Sequence, residues 1–258
     1  MVRGLELFRD RFAAYAGAYI LIGGAASDLV MDNAGLQFRA TKDLDIVLCV
    51  EALDNAFVEE FWRFVQDGGY EVRARSGGPR MYYRFQRPTN EAYPAMLELF
   101  SRKPDAIPVP EGAHLTPLPT NSDVSSLSAI LLDETYYEWI VAGRREIEGV
   151  PIVGAEHLIP LKAGAFLELS ERRSAGEKVD SRDVTKHKKD VIRLAQTLAM
   201  EAIPNVPERA STDVAAFIKA LRSEGMDVNG LNVVFSSLDE VTALLEVAYA
   251  LPKHDRDG

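Results

Sequence analysis

Tyr19-Ile20-Leu21-Ile22-Gly23-Gly24, followed after a short amphipathic segment by Arg39-Ala40-Thr41-Lys42-Asp43-Leu44-Asp45-Ile46-Val47-Leu48, is the stretch on which the fold turns. Its second half places Asp43 and Asp45 at i and i+2 at the head of an apolar, β-prone run. Successive side chains of a strand alternate between faces, so the two carboxylates project the same way. Nothing in a packed core would relieve their repulsion, whereas a divalent cation would. Hard oxygen ligands on a rigid strand suit Mg²⁺, which keeps open positions for water and substrate phosphates. In the first half, Ile20 to Ile22 read as a buried strand, and Gly23-Gly24 allows a sharp turn that brings bare backbone N–H groups close to a ligand. Residues 25–31 then read as a helix whose N-terminus points at that turn, where unpaired N–H groups attract phosphate. A phosphate cradle followed by a same-face pair of aspartates points to metal-assisted transfer of a phosphorus group.

The whole chain bounds that reading. Its 258 residues, 47% of them apolar, can bury a sizeable core in one large or two small domains. A formal charge of −10 argues against a general nucleic-acid coat while leaving room for a local basic patch. The single cysteine, Cys49, excludes an internal disulfide framework and suits a reducing cytoplasm. No apolar run reaches the length of a membrane span, and Glu6, Arg9, Asp10 and Arg11 stand where a signal peptide would be apolar. A cytoplasmic protein with no membrane partner is expected.

Outward from the organising stretch, apolar spacing predicts helices over 4–16 and 51–66. Extended segments follow at 70–74, 81–86 and 95–101, the first two joined by a hairpin loop at 76–79. In the third, Met96, Glu98 and Phe100 share a face, so Glu98 either meets a partner or faces water from an edge strand. Five prolines between 103 and 122 exclude helix and central strand and leave an extended surface connection. Residues 127–132 and 145–153 read as short strands, with Tyr136, Tyr137 and Trp139 between them as a β packing surface in preference to a base-stacking platform. From Ala155 the pattern turns helical, and Lys162 is surrounded by apolar residues on nearly every side. A further helix begins near Asp183 with Val184, Val191, Leu194 and Leu198 as its stripe, and two more cover 212–224 and 238–251; residues 253–258 read as disordered. The expected architecture is an α/β (α+β) lobe with a mixed sheet over 1–154, followed by a mostly helical lobe over 155–258. Arg172, Arg173, Lys178, Arg182, Lys186, Lys188 and Lys189 form the one basic concentration, interleaved with acids: a mixed-charge solvated turn, or a rest for RNA phosphates. The scattered histidines make no zinc site.

Gly23 and Gly24 followed by Asp43-x-Asp45 on a strand resembles the nucleotidyltransferase superfamily that includes DNA polymerase β, CCA-adding enzymes and antibiotic nucleotidyltransferases. More narrowly, Gly23-Gly24-Ala25-Ala26 with Arg39-x-Thr41-Lys42-Asp43-Leu44-Asp45-Ile46 is similar to the AbiEii/AbiGii-type toxins of bacterial toxin–antitoxin and abortive-infection systems. The resemblance implies the nucleotidyltransferase fold, with Glu98 as a third carboxylate completing a site for two Mg²⁺ ions with Asp43 and Asp45. It implies an NTP whose phosphates lie over Gly23 and Gly24, with Ser27 either donating to them or serving as an ordinary helical serine. Lys162 matches a family lysine that faces the nucleotide; its alternative is a structural salt bridge. Asp190 would pair with Lys162 or touch the nucleotide, and Arg193 stands where the family usually has a second aspartate. The implied activity is Mg²⁺-dependent transfer of an NMP from an NTP to a hydroxyl, on RNA such as a tRNA 3′ end or on protein, by a toxin with a cognate antitoxin. Two alternatives remain: a small-molecule nucleotidyltransferase acting on an aminoglycoside-like cation, which the acidic balance favours, and a non-catalytic nucleotide-binding module on the same fold.

Overall fold

A computed structural model describes residues 2–49, 52, 54–75, 83–100, 116–118 and 134–252. They divide into two compact units, Met1–Gly154 and Ala155–Gly258. The first is an α/β unit with a mixed sheet, and the second is mostly helical.

The first unit opens with helix α1 (Leu5–Phe12), strand β1 (Tyr19–Ile22), helix α2 (Gly23–Asn33), strand β2 (Asp43–Leu48) and helix α3 (Asn55–Gly68). Strands β3 (Glu71–Arg75), β4 (Tyr83–Gln86), β5 (Met96–Phe100) and β6 (Thr116–Leu118) follow, then helix α4 (Glu134–Ala142) and strands β7 (Arg144–Ile147) and β8 (Val150–Val153). The eight strands form one sheet in the order β6-β3-β4-β5-β2-β1-β8-β7. β2 runs parallel to β5 and antiparallel to β1, so the sheet is mixed at its centre.

The strand alternation divides this sheet sharply. Leu21, Leu44, Ile46, Phe85, Leu97 and Leu99 occupy one face and are buried. Aromatic rings from the helices cover that face: Phe8 of α1 meets Tyr19 edge-on at 5.3 Å, and Phe61 and Trp62 of α3 meet Phe85 at 5.5 and 5.7 Å. Edge-to-face pairs of this kind add to the large apolar area each ring buries. The opposite face carries the polar residues of β2, β4 and β5. Asp54 starts α3 by accepting a hydrogen bond from the Phe57 N–H at 2.7 Å, the usual device for an orphan helix-start donor.

Several expectations are corrected. Tyr136, Tyr137 and Trp139 lie in helix α4 rather than on a β surface; with Ile140 they fall at helical intervals and are all buried. Their strand propensity yields to that packing. Residues 145–153 are not one strand but the hairpin β7–β8, turned at Glu148 and Gly149, whose φ of 52° and 76° give the left-handed pair that two-residue hairpins favour. The proline-rich stretch, expected to hold neither helix nor central strand, is described only at Thr116–Leu118, an edge strand parallel to β3 where Pro117 costs no inner ladder bond. The proposed loop at 76–79, the strand at 127–132 and the tail at 253–258 lie outside the described residues.

The second unit consists of α5 (Ala155–Ser174), α6 (Ser181–Ala195), α7 (Glu208–Glu224) and α8 (Leu238–Ala248). Phe166 of α5 and Phe217 of α7 meet edge-on at 5.4 Å in its core. α5 contains Pro160, which lacks the N–H that would reach the Glu156 carbonyl four residues back. The Tyr249 hydroxyl donates to that carbonyl at 2.8 Å and fills the gap. Among the described residues no helix is long and apolar enough to cross a membrane.

Candidate active site

The polar face is built around β2. Asp43 and Asp45 are both half-buried on it, while Leu44 and Ile46 between and beyond them are in the core. On one side Asp45 is in register with Ile22, the last residue of β1; on the other it is in register with Glu98 of β5. Glu98 is in turn opposite Arg84 of β4. Ile22, Asp45, Glu98 and Arg84 therefore form a row across four strands. Glu98 is not on an edge strand, because β5 lies between β4 and β2, and it is only 6% exposed.

Glycine is needed where β1 gives way to α2. Gly23 has a φ of 65°, in the left-handed region, and a Cβ there would lie 1.7 Å from Asp45 Oδ2. The Asp45 carboxylate thus sits directly against the start of α2, where the helix dipole favours negative charge. A Cβ on Gly24 would come within 2.6 Å of Thr41 Oγ1, with an Arg39 guanidinium nitrogen at 3.7 Å. The segment before β2 is therefore folded back over the first turn of α2, bringing Arg39 and Thr41 to the same place as the glycines. Ser27 is fully buried, and its hydroxyl donates to the Gly23 carbonyl at 2.5 Å, the bond of an ordinary helical serine. Burial pushes the adjoining Asp28 carboxyl up from its ordinary value.

No family model matches this chain, and no curated protein matches it. The site therefore rests on its own chemistry. Asp43 and Asp45 offer hard oxygens from neighbouring positions of one face, a donor set that fits Mg²⁺. Glu98 adds a third carboxylate beside Asp45, but its Oε1 accepts from Arg84 Nε at 2.6 Å and forms an ion pair with Arg84 Nη2. Among the described residues no three His, Cys, Asp or Glu side chains close into a group able to hold a metal ion. The carboxylates share a face and a register without forming a preassembled cage.

Lys162 and Asp190 lie in the second unit. Lys162 Nζ donates to Asp190 Oδ2 at 3.1 Å, with side chains 4% and 0% exposed. Arg193 Nη1 stands 3.8 Å from the other oxygen, Oδ1. The lysine in its apolar helix thus meets an anion, which resolves the cost of burying it alone. Arg84, Thr41 and Arg39 are the polar residues at the site to which sequence reasoning assigned no role. Arg39 and Thr41 were visible in the stretch preceding Asp43, while Arg84 emerges only from the pairing of β4 with β5.

Proposed function

We propose that this protein is a Mg²⁺-dependent nucleotidyltransferase that moves an NMP from an NTP to a hydroxyl acceptor. One observation carries the reading: Asp43 and Asp45 share a face of β2, Glu98 is in register with Asp45, and Gly23 is packed against the Asp45 carboxylate at the start of α2. Backbone N–H groups at Gly23 and Gly24, with Thr41 and Arg39 folded over them, would take the nucleotide phosphates. Asp43 and Asp45 would hold the metal, with Glu98 beside Asp45 as a third carboxylate. Bound there, Mg²⁺ would neutralise charge on the phosphates and make the attacking hydroxyl more acidic. Glu98 would accept that hydroxyl's proton. The AbiEii-like resemblance supports a toxin whose acceptor is an RNA 3′ end, such as that of tRNA, or a protein, with a cognate antitoxin.

A second reading, nucleotide binding without transfer, is favoured by the Arg84 grip on Glu98. One experiment separates the two. Purified protein, Mg²⁺ and each α-³²P-labelled NTP are incubated with total bacterial RNA, with cell protein or with no acceptor, beside Asp43→Ala. Label entering RNA or protein and absent in Asp43→Ala is the expected result. Nucleotide retained on the protein with no label transferred would favour the non-catalytic reading, and neither binding nor transfer would sink both.

A further inference from the structure

The irregular segment 36–42 joins α2 to β2 and is pinned at both ends. The Leu36 N–H donates to the Met31 carbonyl at 2.9 Å, and the Lys42 carbonyl accepts from the Ala95 N–H at 2.8 Å. Arg39 lies between these pins, and its neighbours locate its guanidinium. Nη1 donates to the Ala40 carbonyl at 3.4 Å. Nη2 is 3.7 Å from the place a Cβ on Gly24 would take, at the first turn of α2. The guanidinium carbon lies over the ring of Phe38, 5.3 Å from its centre, within the range where the face of a ring attracts a cation.

The ring meets a need that the backbone does not. An arginine side chain carries large rotamer freedom, and neither helix nor strand directs it in this segment. A ring against the face of a guanidinium takes up none of its N–H donors, which lie in the plane of the group. Phe38 therefore fixes where the charge sits without competing for hydrogen bonds at its rim. Phe38 is itself half-buried, which gives the ring a seat of its own.

We propose that Phe38 is a positioning residue for nucleotide binding, whose ring holds the Arg39 guanidinium over the first turn of α2, where it meets the triphosphate of the incoming NTP. This rests on reading Gly23, Gly24 and Arg39 as the phosphate cradle. Phe38 acts through Arg39 and touches neither the nucleotide nor the reacting atoms.

The test titrates the full chain in Mg²⁺ with the α,β-methylene analogue of each NTP and with inorganic tripolyphosphate, read by calorimetry. Phe38→Leu and Phe38→Met keep apolar bulk but remove the ring face. Each is expected to weaken both kinds of ligand about fivefold, the factor that a solvent-accessible cation–π contact supplies. Phe38→Tyr, which keeps the face, should bind as the wild type does. Arg39→Gln should weaken both ligands at least as much, and Phe38→Leu/Arg39→Gln should bind no more weakly than Arg39→Gln alone. Wild-type affinity in Phe38→Leu and Phe38→Met would overturn the proposal and leave the cradle standing. So would a loss from Phe38→Leu that is as large with Arg39→Gln as without it, or a loss confined to the NTP analogues with tripolyphosphate unchanged, since either shows the ring acting by itself. Wild-type affinity in Arg39→Gln would remove Arg39 from the cradle and overturn the proposal with it. Absence of binding by the wild type to every analogue and to tripolyphosphate would overturn the cradle and the proposal together.

Discussion

At the scale of single residues, Gly23 carries more of the site than either aspartate. Its φ of 65° disfavours an L side chain by about 1–2 kcal/mol, and its missing Cβ is what allows Asp45 Oδ2 to approach. Gly23→Ala should therefore lower stability by at least that amount and, because Asp45 must move, abolish Mg²⁺-dependent NTP binding. Isothermal titration with a non-hydrolysable NTP checks it, and a variant that still binds like wild type would remove Gly23 from the cradle. Asp213 of α7 is a residue of the opposite kind, one whose sequence position suggests nothing. Its Oδ2 is buried without a hydrogen-bond partner, and burial raises its carboxyl above the ordinary 3.8 against the pull of Arg209. The folded state holds this proton more tightly than the unfolded chain does. Its contribution to stability is complete below pH 3.8 and is lost as pH rises through the higher folded value. Asp213→Asn, which cannot ionise, should be more stable than wild type at pH ~7, and the difference should shrink toward pH ~3. Urea unfolding at both values measures it, and a difference that grows on acidification would refute the assignment.

At the scale of elements, the pair joining α5 to α6 invites a double-mutant cycle. Lys162 and Asp190 are both buried, so removing the lysine takes from Asp190 its buried partner at 3.1 Å and leaves the more distant Arg193 at 3.8 Å. Lys162→Met should cost about 3–5 kcal/mol, while Lys162→Met/Asp190→Leu should recover much of it, since apolar replacement of a buried pair is often neutral. Chemical denaturation gives both numbers; a Lys162→Met variant near wild-type stability would show that the lysine is held there for another reason, a bound phosphate foremost. This pair was half legible in advance. A lysine ringed by apolar residues announces that it needs an anion, but which anion depends on how two helices meet. The strands β1, β2 and β5 were legible for a plainer reason: each is short, apolar and bounded by turn residues, and the alternation at Asp43, Asp45 and Glu98 named the polar face. Helix α4 was not, because Tyr136, Tyr137 and Trp139 favour strands and only burial of Ile140 beside them decides otherwise. Arg84 was invisible for the same kind of reason, as its partner is set by the register of β4 on β5.

At the scale of the molecule, charge bears on the RNA acceptor that the proposed transfer would use. The chain is acidic at −10, and its one basic concentration lies in α5, α6 and the turn between them. Four of those cations are engaged in ion pairs: Arg172 with Glu168 and Glu177, Arg182 with Asp180, Lys186 with Asp183, and Lys188 with Glu224 at 2.6 Å. The Arg182 pairing is close enough to hold the Asp180 carboxyl down at about 2. A cation already neutralised by a carboxylate releases no counterion from RNA unless its own pair breaks. The salt slope of RNA binding should accordingly be shallow, no steeper than about −3 in log K against log salt, since three cations remain and each neutralised phosphate contributes about −0.7 to −0.9. Fluorescence anisotropy with labelled tRNA across a salt series measures the slope directly. A value of about −5 or steeper would mean that the basic run abandons its acids to track an RNA backbone, and the mixed-charge surface would then be an RNA site in its resting form. A shallow slope with retained nucleotide transfer would place acceptor recognition at the reacting end of the RNA, where hydroxyl and base contacts select it and the backbone contributes little.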